Sequence, residues 1–303
     1  MPEAVIVDGI RTPIGRAGKG SLRAMRADEL AAVPIRALIE RNPQVDFAQT
    51  TDVLMGAASG IGEQGYNVGR NAALLAGLDH HVPGCTVNRF CASSLMTIRM
   101  AAHAVRAGEG EQYIAAGIEA VSRAGLGAGM MEEVKNHRLD GSPDSLYDVY
   151  IPMGMTAENV AERCAVSREA QDEWAVVSQS RAVAARDSGH YDAEIVPVTV
   201  PAHAEKDADG AEVQVAETVV TADDGPRPGT TMEVLAKLKP AFRSDGTVTA
   251  GNACPLNDGA AAVLVMSGDR AERLGLQPVA RIVASTVAAI RPEIMGLGPI
   301  PAI

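Results

Sequence analysis

From the N-terminus to about residue 122, short apolar runs of strand length alternate with stretches whose apolar residues recur every three or four positions. Ala4–Asp8 reads as a first strand, and a helical pattern then opens near Asp28 and carries Leu30, Ile35, Leu38 and Ile39. Pro34 lies inside that pattern; because proline costs about 3 kcal/mol in a helix interior, the helix either starts after it or kinks there. Thr51–Gly56 reads as a second strand and Asn67–Gly77 as a second helix. An apolar strand-like run ending at Val87 then turns abruptly into a third helix. Leu95, Ile98, Ala102 and Val105 share one face of it, and Gly108 stands where a C-terminal glycine belongs. Gln112–Gly117 is the next strand. The order βαβαβαβ places the chain in the α/β class and predicts a parallel sheet with helices on both faces.

Polarity rises between about Arg123 and Lys239, so this stretch reads as an inserted lid. Within it the pattern predicts a helix over Met155–Arg163 and a second from the cap Ser167 through Trp174, Val177 and Ala184 to Gly189. A strand at Ile195–Val200 and a polar turn at Asp207-Ala208-Asp209-Gly210 follow. Thr230-Thr231-Met232-Glu233 is a capping box for a short helix over Val234–Leu238. Glycine-rich turn chemistry returns over Thr247–Gly259, Ala260–Met266 reads as a buried strand, Asp269–Leu274 as a helix and Val279–Ala288 as a last strand.

Composition narrows the classes. With 303 residues and 47% hydrophobic content the chain can bury a large core, as two or more domains or one elaborate α/β unit. Lys+Arg 27 against Asp+Glu 38 gives a net charge of −11, and without a basic stripe nucleic acid is excluded as a partner. The apolar runs fall short of the roughly twenty residues of a membrane helix, and Met1–Asp8 lacks a signal-peptide pattern, so a cytoplasmic protein is expected. Four cysteines, Cys85, Cys91, Cys164 and Cys254, form no CxxC pair, which fits a reducing compartment and argues against zinc.

Cys91 is the candidate for chemistry. It sits just before or at a helix N-terminus, where unpaired N–H groups and the helix dipole favour a thiolate, the nucleophilic form. Ala92, Ser93 and Ser94 are small enough to admit a substrate carbonyl, and the turn's N–H groups could form one side of an oxyanion hole. A cysteine packed as a small hydrophobe is the alternative. Gly60-Ile61-Gly62-Glu63-Gln64-Gly65 is formally a GxGxxG, but Glu63 would repel phosphate and no ribose-binding acid follows, so it reads as a tight loop. The pair His80-His81 reads as two surface histidines, since neighbouring positions point apart and no third ligand joins them.

Six segments, in order, resemble the thiolase family: Arg11–Gly15, Val87–Ser94, Pro152–Ala161, Ala236–Phe242, Thr247–Ala253 with Asn257–Ala262, and Met295–Ala302. The resemblance covers essentially the whole chain. It implies two βαβαβαββ halves stacked as α–β–α–β–α layers, with residues 1–122 and 242–270 forming the first half, 123–241 a coenzyme A-binding loop domain, and 271–303 the start of an incomplete second half. It implies acyl transfer between coenzyme A thioesters through a Cys91 acyl-enzyme, with no permanent cofactor or metal. Carried over by position, Met153, Arg227, Leu238, Phe242, Ala250, Gly251, Cys254 and Leu256 would line the coenzyme A channel, Arg227 being the cation suited to the nucleotide end. The partners implied are acyl-CoA and coenzyme A and a homodimer or homotetramer, in fatty acid metabolism.

This chain departs from the family pattern at Cys254, where a serine is usual. The family's Asn-Glu-Ala-Phe, Gly-His-Pro and Cys-x-Gly-Gly-Gly motifs have no counterpart among these residues, so none of His80, His81, His103, His137, His190 and His203 is assigned the base, and little turnover is expected of the 303 residues alone. Ile151-Pro152-Met153-Gly154 resembles the degradative 3-ketoacyl-CoA thiolases; acetoacetyl-CoA thiolase and an inactive acyl-CoA-binding fragment are the alternatives.

Overall fold

The computed structural model describes residues 2–124, 135–206 and 210–303. Residues 207–209 of the predicted turn that ends at Gly210 lie outside these. In chain order the elements are β1 (Ala4–Arg11), β2 (Gly15–Arg16), α1 (Ala27–Arg41), β3 (Asp52–Gly56), α2 (Val68–Leu75), β4 (Gly84–Val87), α3 (Ser93–Ala107), β5 (Gln112–Ala120) and α4 (Val121–Ala124). There follow α5 (Met153–Arg163), α6 (Arg168–Asp187), β6 (Val198–Val200), β7 (His203–Lys206), β8 (Glu212–Val215), β9 (Thr218–Val220), α7 (Met232–Leu235), β10 (Asn257–Ser267), α8 (Gly268–Arg273), β11 (Ala280–Arg281) and α9 (Pro299–Ala302). They form two compact units: Met1–Leu126 with Tyr191–Gly225 and Leu256–Val283, and Gly127–His190 with Pro226–Pro255 and Ala284–Ile303. The stretch 123–241, read above as one insertion, is thus shared between the units.

The first unit is built on a sheet of order β11-β1-β10-β5-β3-β4. It is mixed rather than parallel: β3 pairs β4 and β5 in parallel, but β10 returns from far along the chain, enters between β1 and β5, and runs antiparallel to both. Local alternation could not show this, because a fully buried strand reads the same in either direction. Strand alternation divides the core. Val53, Met55, Ile114, Ala116, Leu264 and Met266 face Leu30, Ile35 and Leu38 of α1 and Val68, Ala72 and Ala73 of α2 in one apolar cluster. Leu54, Tyr113, Ala115 and Val265 form a second cluster with Ala101, Ala102 and Val105 of α3.

Helix α1 runs unbroken through the buried Pro34. Its start is capped from outside: Arg26 makes no side-chain cap, and Glu63 Oε2 accepts the Ala27 N–H at 2.8 Å. Glu63 also pairs with Arg26 (3.1 Å) and Arg123. The GxGxxG loop therefore presents its acid to a helix N-terminus, in keeping with the tight-loop reading. The Arg123 hydrogen bond, against partial burial and with help from the Ala27 N–H and Arg26, holds the Glu63 carboxyl below the usual range. A carboxylate with a depressed folded pKa contributes stability above its unfolded pKa of about 4.3, and that contribution is lost as pH falls through the lower folded value. Glu63→Gln is therefore expected to cost about 1–2 kcal/mol in urea unfolding at neutral pH, and the gap to wild type should close in acid below about pH 4.

The predicted strand Val279–Ala288 shrinks to β11, whose registered pairs are Ile6–Ala280 and Val5–Arg281. Val198–Val200 pairs with β9, and β7 with β8 forms a second ribbon that the sequence pattern did not show. In the second unit, Ser167 caps α6 as expected, its Oγ accepting the Ala170 N–H at 3.2 Å. Among the described residues no helix is long and apolar enough to cross a membrane.

Candidate active site

Strand β4 ends at Val87, and the chain passes through Asn88 and Arg89 into a single 3-10 turn, Phe90–Ala92, before α3 begins. Cys91 lies in that turn and is exposed. The turn is held by the Ala92 N–H to Arg89 carbonyl and Ser93 N–H to Phe90 carbonyl bonds, which leave the N–H of Cys91 outside them. Phe90, immediately before the thiol, adopts φ 48°, a left-handed conformation that costs a side chain other than glycine about 1–2 kcal/mol. The side chain of Ser93 clasps the turn, its Oγ donating to the Phe90 carbonyl (2.6 Å) and accepting the Arg89 N–H (2.8 Å). Ser93 is thus structural, and it is buried.

The small residues after Cys91 serve packing as well as access. Strands β3 and β5 offer Gly56 and Gly117 to the first turn of α3; a Cβ on Gly56 would stand 2.5 Å from the backbone of Ser93 and Ser94, and one on Gly117 would collide with Ser94 Oγ. Leu95, predicted on the core face, is 70% exposed, and the buried positions are Ser93, Thr97, Ala101, Ala102 and Val105. The close approach at Gly56 and Gly117 rotates α3 so that its small and polar residues face the sheet.

The other cysteines differ in setting. Burial, with the charge of Asp52 adding to it, pushes the half-buried Cys85 thiol up, away from the reactive form. His80 and His81 are surface residues as read, but they do not point apart: the ring centroids lie 3.9 Å apart with the planes tilted by 39°, and Asp79, His80 and His81 each bring a ligand atom within 4.8 Å of the others. A tight turn, in which Asp79 Oδ1 accepts the His81 N–H (2.8 Å), brings neighbouring side chains together where an extended strand would splay them. All three are exposed.

Seven of the eight residues carried over for coenzyme A fall in the second unit, and Leu256 falls in the first. Three of the seven take part in close packing at two glycines. The Phe242 ring lies against Gly154, which follows Met153 in α5, and Leu235 and Leu238 close on Gly251 from 2.5 Å of where its Cβ would be. Arg227 is exposed on a loop pinned by its own N–H to Gln179 Oε1 (2.8 Å).

Residues that sequence reasoning missed hold this cluster. Glu158, 1% exposed, accepts the N–H groups of Thr247 (2.9 Å) and Val248 (2.9 Å) and the Thr247 hydroxyl (3.2 Å). Asp172, 2% exposed, takes Arg168 (2.7 Å) and Asn252 (2.9 Å), and Arg168 donates onward to the carbonyls of Leu235 and Leu238. The only signal for Glu158 was its place in the Thr156-Ala157-Glu158-Asn159 stretch of the resemblance; Arg168 and Asp172 are a helical i,i+4 pair. Glu158→Ala takes the acceptor from the buried Val248 N–H, at about 1–3 kcal/mol, and from the part-buried Thr247 N–H. Chemical denaturation should show that loss, with Glu158→Gln, which keeps one acceptor, falling between it and wild type.

Residues 4–269 match the family model described as thiolase, N-terminal domain. A beta-ketoadipyl-CoA thiolase of Acinetobacter baylyi is 46% identical over 100% of this chain and 76% of its own length. The 3-oxoadipyl-CoA/3-oxo-5,6-dehydrosuberyl-CoA thiolase of Escherichia coli is 43% identical over 100% of this chain and 75% of its length. Among solved structures, the acetyl-CoA acetyltransferase of Bacillus anthracis superposes with a TM-score of 0.84 at 38% identity, covering 100% of this chain and 75% of that one.

Proposed function

This chain belongs to the thiolase family, and from that premise we propose that it acts on 3-ketoacyl-CoA thioesters with Cys91 as the acyl acceptor. The observation that carries this is the exposed Cys91 at the mouth of α3, in a turn whose own N–H is not spent on holding the turn. In the cleavage direction Cys91 gives up its thiol proton and its sulfur attacks the 3-keto carbon, the bond between C2 and C3 breaks, and the electron pair left on C2 takes up a proton equivalent to the one the thiol lost, releasing acetyl-CoA. The acyl group remains on Cys91 as a thioester until the sulfur of free coenzyme A attacks it, giving a shortened acyl-CoA and the free thiol. Run backward, the same steps condense two acyl-CoA molecules. Splitting one carbon–carbon cleavage into two acyl transfers is the gain of covalent catalysis. The Cys91 N–H is suited to donate to the oxygen that becomes negative in each transfer.

We assign the coenzyme A contacts to Met153, Leu238, Phe242, Ala250, Gly251, Cys254 and Leu256, with Arg227 for the nucleotide phosphates because a guanidinium matches their geometry. The relatives named for 3-oxoadipyl-CoA support a substrate of that kind. The likeness to an acetyl-CoA acetyltransferase supports acetoacetyl-CoA as the second reading, and chain-length dependence separates the two. A cytoplasmic setting, a part in fatty acid metabolism and a homodimer or homotetramer belong to the same proposal, the last open to sedimentation. The central test is the half-reaction: purified protein is mixed with acetyl-CoA and followed by intact mass. One acetyl group on Cys91 is the expected result, and no adduct would leave a binding or inert protein.

A further inference from the structure

A strained turn keeps its shape only if its surroundings hold it there. Phe90, in its left-handed conformation, donates its N–H to Asn88 Oδ1 at 2.8 Å. The other end of that side chain reaches the segment after β3, Asn88 Nδ2 donating to the Ala58 carbonyl at 2.9 Å. The Ala58 N–H donates in turn to Glu119 Oε2 at 2.8 Å, near the end of β5. Glu119 Oε1 accepts Gln64 Nε2 at 2.9 Å, and Gln64, 1% exposed, is anchored through the Ser59 carbonyl (2.9 Å) and the Ala120 N–H (2.8 Å). The bonds form a line from the sheet to the residue before the thiol, and in it Asn88 and Glu119 are joined through the Ala58 backbone.

We propose that Glu119 is a positioning residue for the nucleophile, acting through Ala58 and Asn88 to hold Phe90 and thereby aim Cys91. The two carboxyl oxygens of Glu119 accept one donor each, Oε2 from the Ala58 N–H and Oε1 from Gln64 Nε2, so this side chain ties the segment after β3 to the sheet. The rate measurement below rests on the reading of Cys91 as acyl acceptor; the tether itself does not.

The test uses the purified protein with Asn88→Ala, Asn88→Asp, Glu119→Ala and the Asn88→Ala/Glu119→Ala double variant, and follows Cys91 acetylation by acetyl-CoA as a function of time and concentration. Each single variant is expected to lower the saturating rate by about 10-fold or more, since small displacements of a reacting atom cost that much, with the half-saturating concentration unchanged. The double variant should fall no further than the worse single one, because one tether is broken once. Asn88→Asp keeps Oδ1 for Phe90 but loses the donor to Ala58: it falls with Asn88→Ala if the tether runs to Glu119, and stays at the wild-type rate if Phe90 is capped only locally. A wild-type rate in Asn88→Asp, or losses that add in the double variant, overturns the proposal. Asn88 is exposed, so this arm survives if Glu119→Ala does not fold. If wild-type Cys91 takes no acetyl group, the acyl-acceptor reading fails by itself, and the tether is read from iodoacetamide modification of Cys91 mapped by peptide mass. A change of about threefold or more in that rate supports the tether, and equal rates overturn it.

Discussion

Cys91→Ser should abolish acyl transfer to the protein, lowering the rate of adduct formation by about 10⁴-fold or more, as removal of a nucleophile does elsewhere. The substitution exchanges one atom. The clasp of Ser93 on Phe90 and Arg89 and the Asn88 bond to Phe90 are made by other groups, so the turn keeps its shape and thermal stability should be unchanged. What is lost is the sulfur: a serine hydroxyl is far less acidic and less nucleophilic than a thiol and attacks a thioester poorly. Intact mass after exposure to acetyl-CoA reads the outcome directly. An adduct that persists in Cys91→Ser would move the acceptor to Cys85, Cys164 or Cys254 and end the proposed role of Cys91.

Gly56→Ala should be the most damaging change that leaves every polar group of the site in place. Its added Cβ would lie 2.5 Å from the Ser93 carbonyl carbon and the Ser94 nitrogen and 2.9 Å from the Ser93 oxygen. These are backbone atoms, so no side chain can rotate away, and the first turn of α3 has to lift from β3. Overpacking of this kind costs about 1–3 kcal/mol, and a displacement approaching 1 Å at the reacting atom slows chemistry by about 10²-fold. Gly60→Ala is the matched control, because its Cβ would meet nothing within 4 Å and its backbone is not left-handed. Acetylation of Cys91 and urea unfolding should therefore both separate Gly56→Ala from Gly60→Ala. Wild-type behaviour in Gly56→Ala would mean that the contact between β3 and the start of α3 does not set the nucleophile.

Much of the first unit was legible in sequence because its elements bury one face each. The strand at Thr51–Gly56, the helices near Asp28 and Asn67 and the turn at Cys91 all carry periods that report burial locally. The glycine at Gly108 ends α3 as read, at φ 77°. Where two long-range partners shared a position, the local signal misled. Leu95 carries the right spacing for a core face, yet it is exposed, because the contacts of Gly56 and Gly117 with Ser93 and Ser94 fix how α3 is rotated. Glu63 reads as an acid in a phosphate-like loop, and its task, capping α1 across 36 residues of sequence, has no local trace.

Sequence alone determined that this is an α/β chain, that a cysteine stands where a strand run turns into a helix, and that six ordered segments share the thiolase pattern. Those conclusions rest on short-range periodicity and on residue identity. The tertiary structure decided the direction of β10 and its place between β1 and β5, the rotation of α3, the buried carboxylates of Glu158 and Asp172 behind the Thr247–Cys254 loop, and the line of bonds from Glu119 to Phe90. Each of these joins residues tens to more than a hundred positions apart. A side chain's period says only that it is buried; which partner buries it is set by how the whole chain closes on itself.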